Sequence, residues 1–359
     1  MNKRCKVDLI TGFLGSGKTT FLRQYAAFLL RQGEKVCILE NDYGAINVDL
    51  VFLHDLLSQG CGLEMVIGGD GPEAHQRRFK TKLISMAMMG YTRILVEPSG
   101  IYDADEFFDT LREEPLDRWY EIGTVVGILD STIALPQNSL CREGSKDSRY
   151  VLVSEMAPAG IFVLSHQNEA PQAAVLDCLM ECFREFQCGR ELLPEEIITK
   201  EWSTFQEEDF FRIEQAGYRE VSHVKRQVGK ESGFQSAFYF GVHDTEQGIR
   251  ERLTKLFRDP DLGWISRVKG FVLVDKPSQK TEQEEHITTK ESGFRPKTVW
   301  KSLEGLVDNR TFLEVNATRE NIDFHRATPT REVLIVIGEH LQASALDRYF
   351  PEAAEHGII

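Results

Sequence analysis

The chain has 359 residues, 42% of them hydrophobic and 27% charged, a composition that can bury a proper core and a length that suits two domains. A net charge of −14, from 56 acidic against 42 basic residues, argues against nucleic-acid partners, because an acidic surface repels phosphate backbones. No apolar run approaches the ~20 residues that span a bilayer, the apolar stretch after the basic Met1 to Lys6 is too short for a signal peptide, and seven scattered cysteines suit a reducing compartment, so a cytoplasmic protein with no membrane association is expected.

Val7-Asp8-Leu9-Ile10 reads as a short buried strand. Gly12-Phe13-Leu14-Gly15-Ser16-Gly17-Lys18-Thr19-Thr20 follows it and fits G-x-x-x-x-G-K-[ST] without a mismatch. Thr19 to Gln32 then reads as a helix, with Phe21, Leu22, Tyr25, Phe28 and Leu29 on one face and Gly33 as its stop. A loop of this kind wraps a phosphate chain with backbone N–H groups, here those from Gly12, Gly15, Ser16 and Gly17 through to Lys18, Thr19 and Thr20. Lys18 is expected to reach the β- and γ-phosphates and the Thr19 hydroxyl to ligate Mg²⁺. The chain therefore carries a nucleotide-binding signature.

Val36 to Leu39 reads as the next buried strand, which makes strand–loop–helix–strand and begins a parallel α/β sheet. In the loop Glu40 to Asp49, Asp42 and Asp49 are candidates to hold Mg²⁺ or sense the γ-phosphate, since ligands bind beyond the carboxyl ends of such strands. A solvated acidic loop is the alternative. A helix is expected from Pro72 to Met89, with the basic residues Arg77, Arg78, Lys80 and Lys82 on a solvated face. Arg93 to Val96 reads as a strand ending in Glu97-Pro98-Ser99-Gly100. There the carboxylate would contact Mg²⁺ or its water, and the Gly100 N–H would approach the γ-phosphate.

A helix over Asp103 to Glu113 and a buried strand over Thr124 to Asp130 follow, then a polar excursion from Gln137 to Tyr150. Ile161 to Leu164 is a further core strand with Ser165-His166-Gln167-Asn168 at its end. The helix Ala170 to Gln187 carries Cys178 and Cys182 among apolar neighbours, which favours a core role over metal ligation. Glu207 to Gly217 reads as a last helix. The pattern restarts with a strand at Ala237 to Phe240, a helix at Thr245 to Phe257 and a strand at Val268 to Val274. After an apolar-poor stretch, Lys276 to Ser292, strands are expected at Thr298 to Leu306, Thr311 to Val315 and Val333 to Gly338, with a helix at Ser344 to Phe350. The expected organisation is an α/β nucleotide-binding domain with a mostly parallel sheet over 1–218, a linker over 219–233, and a small α+β domain over 234–359.

The order of these motifs resembles the CobW family of P-loop GTPases, relatives of UreG and HypB. GFLGSGKTT is similar to the family's phosphate loop, and Asn41-Asp42-Tyr43-Gly44 with Asp49 to its Asn-Glu-Phe-Gly…Asp segment. Glu97-Pro98-Ser99-Gly100 is similar to its Glu-Thr-Thr-Gly, and Arg267-Val268-Lys269-Gly270-Phe271 to its Arg-x-Lys-Gly-Phe. The resemblance implies a slow nucleoside triphosphatase, with Lys18, Asp42 and Glu97 as its catalytic set. Turnover would be coupled to delivery of a metal or metallocofactor to a client, a metalloenzyme or corrinoid protein. It also implies pairing as a homodimer.

Two stretches depart from the family. Where it carries Gly-Cys-x-Cys-Cys, this chain has Gly60-Cys61-Gly62-Leu63-Glu64. Cys61 and Glu64, with help from Glu40, His54 or His75, remain candidate ligands for Zn²⁺ or another transition metal. Where the family carries Asn/Ser/Thr-Lys-x-Asp to read guanine, this chain has Ser165-His166-Gln167-Asn168. His166 would stack on the base and Asn168 would bond its edge, but a carboxamide lacks the paired acceptors of a carboxylate. GTP and ATP therefore both stay open. A nucleotide-dependent switch or scaffold without its own metal is the alternative function, and a small-molecule kinase a third.

Overall fold

A computed structural model describes residues 4–13, 15–42, 54–67, 72–98, 104–135, 140, 145–226, 234–275, 310–319, 321–327, 332–353 and 355–358. Asp49, Gly100 and the expected strand at 298–306 lie outside the described residues, as does the side chain of Asp42. The chain divides into two compact units, 1–233 and 234–359.

The first unit is built on strands β1 (Cys5–Thr11), β2 (Val36–Asp42), β3 (Gly62–Ile67), β4 (Arg93–Pro98), β5 (Tyr120–Asp130), β6 (Ile161–Ser165) and β7 (Ile197–Ile198). They pair in the order β3-β2-β4-β1-β5-β6-β7, and every pairing is parallel. β4 and β6 are buried along their whole length, as expected for a sheet covered on both faces. Helix α1 (Lys18–Arg31) lays Phe21, Leu22, Tyr25, Phe28 and Leu29 on one face, where they meet Ile10, Ile38, Leu95 and Val126. A short α2 (His54–Leu57) adds Leu56 to this core. The other face carries α3 (Pro72–Met86), α4 (Ala104–Arg112), α6 (Lys146–Met156) and α7 (Gln172–Glu185); between α4 and β5 lies the single turn α5 (Leu116–Trp119). α8 (Glu207–Glu214) returns to the α1 face through Phe210 and Ile213.

Three local departures from the periodicity have simple causes. α3 stops at Met86, because Met88 and Met89 point into solvent and Gly90 takes a left-handed φ of 74°. The polar excursion is interrupted by α6, whose N-cap Ser145 accepts a hydrogen bond from the Ser148 N–H at 3.0 Å. Its apolar run, Val151-Leu152-Val153, then packs inward. Residues 219–226 are held on the first unit: Arg219 N–H donates to Pro158 O at 2.9 Å, its guanidinium pairs with Glu196 at 2.7 Å, and Val224 N–H donates to Phe186 O at 2.8 Å.

The second unit has the strand order β12-β11-β10-β13-β8-β14, from β8 (Phe234–Phe240), β10 (Trp264–Asp275), β11 (Arg310–Ala317), β12 (Ile322–Ala327), β13 (Val333–Glu339) and β14 (Glu355–Ile358). These six are antiparallel to their neighbours, and a two-residue β9 (His243–Asp244) pairs with β10 in parallel. α9 (Glu246–Leu256) packs Ile249, Leu253 and Leu256 on the sheet, and the expected terminal helix is one short α10 (Ala343–Leu346) followed by a 3₁₀ turn. β12 was not expected: only Ile322 and Phe324 of Ile322-Asp323-Phe324-His325-Arg326 pack against the core, too brief an alternation to stand out.

Candidate nucleotide-binding site

The loop between β1 and α1 sits at the carboxyl edge of the sheet, on its central strand. Gly12 has φ 153°, and a Cβ there would lie 2.5 Å from the Ile128 carbonyl and 2.6 Å from Ser16 Oγ. Gly17 has φ 96°, and a Cβ there would lie 2.8 Å from the Trp202 ring. Both positions therefore require glycine. The Ser16 N–H donates to Phe13 O at 3.1 Å and closes the loop. Lys18 is buried and folds back, its Nζ donating to Gly12 O at 2.6 Å.

The Thr19 hydroxyl donates to Glu97 Oε1 at 2.7 Å. Glu97 is buried at the end of β4, and its register partner on β2 is Glu40, also buried. Partners in a parallel ladder point to the same face, so the Glu40 carboxylate shares the sheet face of Glu97, which the Thr19 hydroxyl meets. An oxygen-only donor set of this kind suits Mg²⁺. Glu40, weighed above only as a helper to Cys61, thus stands beside Glu97. Thr20 is exposed on the first turn of α1.

On the other flank, past β5 and β6, lie the remaining predicted residues. His166 has φ 49° and an exposed ring whose Nδ1 is 3.1 Å from Asp130 Oδ1. Asn168 is exposed and donates from Nδ2 to Glu201 Oε1 at 3.2 Å. Trp202 donates from Nε1 to Leu164 O at 2.9 Å and meets Phe21 edge-on at 5.9 Å. Glu201 and Trp202 escaped the sequence reading; the available signal was an acid–Trp pair just after the apolar Ile197-Ile198.

Cys61 and Glu64 are not brought together. Cys61 is buried in the α1-side core with Phe28 and Leu56, and Leu63 packs against the same cluster. Glu64, the next residue along β3, leaves on the opposite face and pairs with Lys82 of α3 at 2.9 Å. Burial also pushes the Cys61 thiol up to about 11, away from the thiolate a metal needs. His75 is buried 3.1 Å from Glu106. Among the described residues no group of three or more His, Cys, Asp or Glu is placed to hold an ion.

One further group was missed. Glu155 of α6 is fully buried, and neither carboxylate oxygen has a hydrogen-bond partner among the described residues. Burial raises its pKa to about 8, with Lys18 pulling in the opposite direction.

The sequence profile of the CobW/HypB/UreG nucleotide-binding domain matches residues 6–194. The chain belongs to this family. Among curated proteins it is similar to the zinc chaperone YeiR of Escherichia coli strain K12, 29% identical over 164 residues, which is 45% of this chain and 47% of YeiR. It is also similar to the zinc chaperone YjiA of the same organism, 26% identical over 135 residues, 36% of this chain and 41% of YjiA. The matched stretch thus spans less than half the length of either relative. Among solved structures, the Zn(II)-bound YjiA GTPase from E. coli aligns over 99% of this chain and 100% of that one, at 17% identity and a TM-score of 0.36. No helix among the described residues is long and apolar enough to cross a membrane.

Proposed function

We propose that this CobW/HypB/UreG member binds a nucleoside triphosphate with Mg²⁺, hydrolyses it slowly, and uses the cycle to hand a metal ion or metallocofactor to a client protein. The observation that carries the nucleotide part is the meeting of Thr19 and Glu97 at 2.7 Å beside the glycine loop. On binding, the loop N–H groups cradle the phosphates and Lys18 exchanges the Gly12 carbonyl for the β- and γ-oxygens. Thr19 and Glu97 hold the metal ion, with Asp42 and Asp49 as further oxygen donors. Mg²⁺ supplies charge neutralisation at the terminal phosphate. Gly100 N–H approaches the γ-phosphate, while His166 and Asn168 serve the nucleoside end. Turnover is slow in this reading until a partner or a second copy completes the site with a group such as an arginine finger or a water-positioning glutamine.

The metal-handling part rests on the family and on relatives named as zinc chaperones. A second reading, a nucleotide switch without its own metal, is favoured by the opposite orientation of Cys61 and Glu64. Equilibrium dialysis against Zn²⁺, Co²⁺ and Ni²⁺, with and without nucleotide, separates them. Nucleotide-sensitive binding supports the chaperone; binding no better than background supports the switch. Lys18→Ala tests the shared core, because unchanged nucleotide affinity and hydrolysis would refute both readings.

A further inference from the structure

The phosphate loop lies between β4 and β5 in the sheet. Its β4 side carries Thr19, Glu97 and Glu40, the oxygen donors that suit a metal ion and therefore the terminal phosphates. A nucleotide is a linear chain with metal-bound phosphates at one end and the base at the other. The base consequently lies on the opposite flank, over the carboxyl ends of β5, β6 and β7. The described polar side chains there include two bonded pairs, Asp130 with His166 and Asn168 with Glu201. Asp130 is engaged, accepting from the Thr132 N–H at 2.9 Å and lying 3.1 Å from His166 Nδ1. Glu201 is anchored by its neighbour, since Trp202 bonds the Leu164 carbonyl at the end of β6 and its ring stands against Gly17.

We propose that Glu201 supplies the base-reading carboxylate of this site and, acting with Asn168, selects guanine over adenine. The inference rests on the nucleotide-binding reading above. A free carboxamide offers one donor and one acceptor, a pattern that fits adenine's amino group and N1 lone pair. Here the carboxamide is not free: its Nδ2 donates to Glu201 Oε1 at 3.2 Å. That bond sets the amide orientation, because the reverse flip would place two oxygens against each other. It commits one of the two amide N–H donors to Glu201 and sets Oδ1 as an acceptor beside a carboxylate with further lone-pair sites. In this reading the base meets Oδ1 and the Glu201 carboxylate together, two acceptors side by side. Guanine offers two donors side by side, N1–H and the 2-amino group, and matches it. Adenine would bring its N1 lone pair against an oxygen, a mismatch that rejects it. The carboxylate sits on the loop after β7 and not on the loop after β6, where Asn168 stands.

The test is equilibrium binding of GDP, IDP and ADP with Mg²⁺ to the full chain and its variants. The unaltered chain is expected to bind GDP at least about a hundredfold tighter than ADP, and tighter than IDP, which lacks the 2-amino group. Glu201→Ala should weaken GDP about ten- to a hundredfold, the range for one charge-assisted hydrogen bond. It should change ADP little, and Glu201 is exposed, so thermal unfolding should not move. Asn168→Asp in the Glu201→Ala background should restore the preference for GDP by returning a carboxylate to the same edge. The proposal is overturned if the unaltered chain binds ADP as tightly as GDP, or if Glu201→Ala keeps the full ratio. In those cases Lys18→Ala would still abolish binding of both nucleotides, leaving the phosphate site intact as a reading. If Lys18→Ala leaves every nucleotide bound as before, the phosphate-site reading falls, and the base assignment falls with it.

Discussion

The two ends of the parallel sheet treat buried polar groups in opposite ways. Near the amino-terminal end, Asp8 of β1 is fully buried, yet it accepts from Arg93 Nη1 at 2.9 Å, from the Thr124 N–H at 2.8 Å and from Tyr25 OH at 3.1 Å. Arg93, itself buried, also pairs with Glu214 of α8, and its Nε is left over. At the carboxyl edge, Thr11 Oγ1, Ser16 Oγ, both amide atoms of Asn41, Ser131 Oγ and Ser165 Oγ are buried without a partner among the described residues. A buried polar group without a hydrogen bond costs roughly 1–3 kcal/mol, so such groups persist where something else meets them. The matched end holds strands β1, β4 and β5 and helix α8 in register. The unmatched end is the edge at which the proposed nucleotide would bind.

Substitutions at the two ends should therefore separate stability from binding. Arg93→Met leaves Asp8 buried without its cation and should lower unfolding free energy by about 3–5 kcal/mol in urea titrations. Nucleotide affinity of the folded fraction should stay as it was; loss of affinity at full folding would break the contrast.

Glu155 lies on the unmatched side of the comparison and gives it a pH signature. Its carboxyl is raised from 4.5 to about 8 by burial, so the folded state holds a proton that the unfolded chain releases. Its contribution to stability is complete below pH ~4.5, declines as pH rises, and is gone above pH ~8. Glu155→Gln should remove this decline, a difference of up to a few kcal/mol across the window, read from unfolding curves at successive pH values. Identical pH profiles for the two proteins would mean that the carboxyl finds a partner in solution.

Lys18→Ala should weaken nucleotide binding about a hundredfold or more with little shift in Tm, since it removes a charge-assisted contact to phosphate. Gly17→Ala is the mildest change. A left-handed backbone and the Trp202 ring 2.8 Å from the new Cβ should cost about 1–2 kcal/mol of stability and loosen the loop. Trp202 fluorescence should report the displaced ring; an unchanged spectrum and affinity would count against the contact.

Much of the first unit was legible in the residues themselves. The apolar strand before Gly12, the helical stripe from Phe21 to Leu29 and the acid closing β4 are local patterns, and the structure places the two strands in one parallel sheet with the helix packed on its face. α6 was hidden because the polar residues before Ser145 masked the start of an apolar run that is only clear from its cap. In the second unit, β12 escaped because only two of its side chains pack inward.

The sequence by itself determined the phosphate loop, the sheet class and the acidic residue at the end of β4, because each is written in contiguous residues whose backbone geometry is local. Only the tertiary structure decided which distant groups meet. Strand register set Glu40 beside Glu97, and the period-two alternation of β3 sent Leu63 and Glu64 to opposite faces, leaving Cys61 apart from Glu64. The strand order placed the loop after β7 next to the loop after β6, which joined Glu201 to Asn168. Side-chain chemistry is encoded residue by residue, but a site is a set of distances, and those are fixed by how the strands pair.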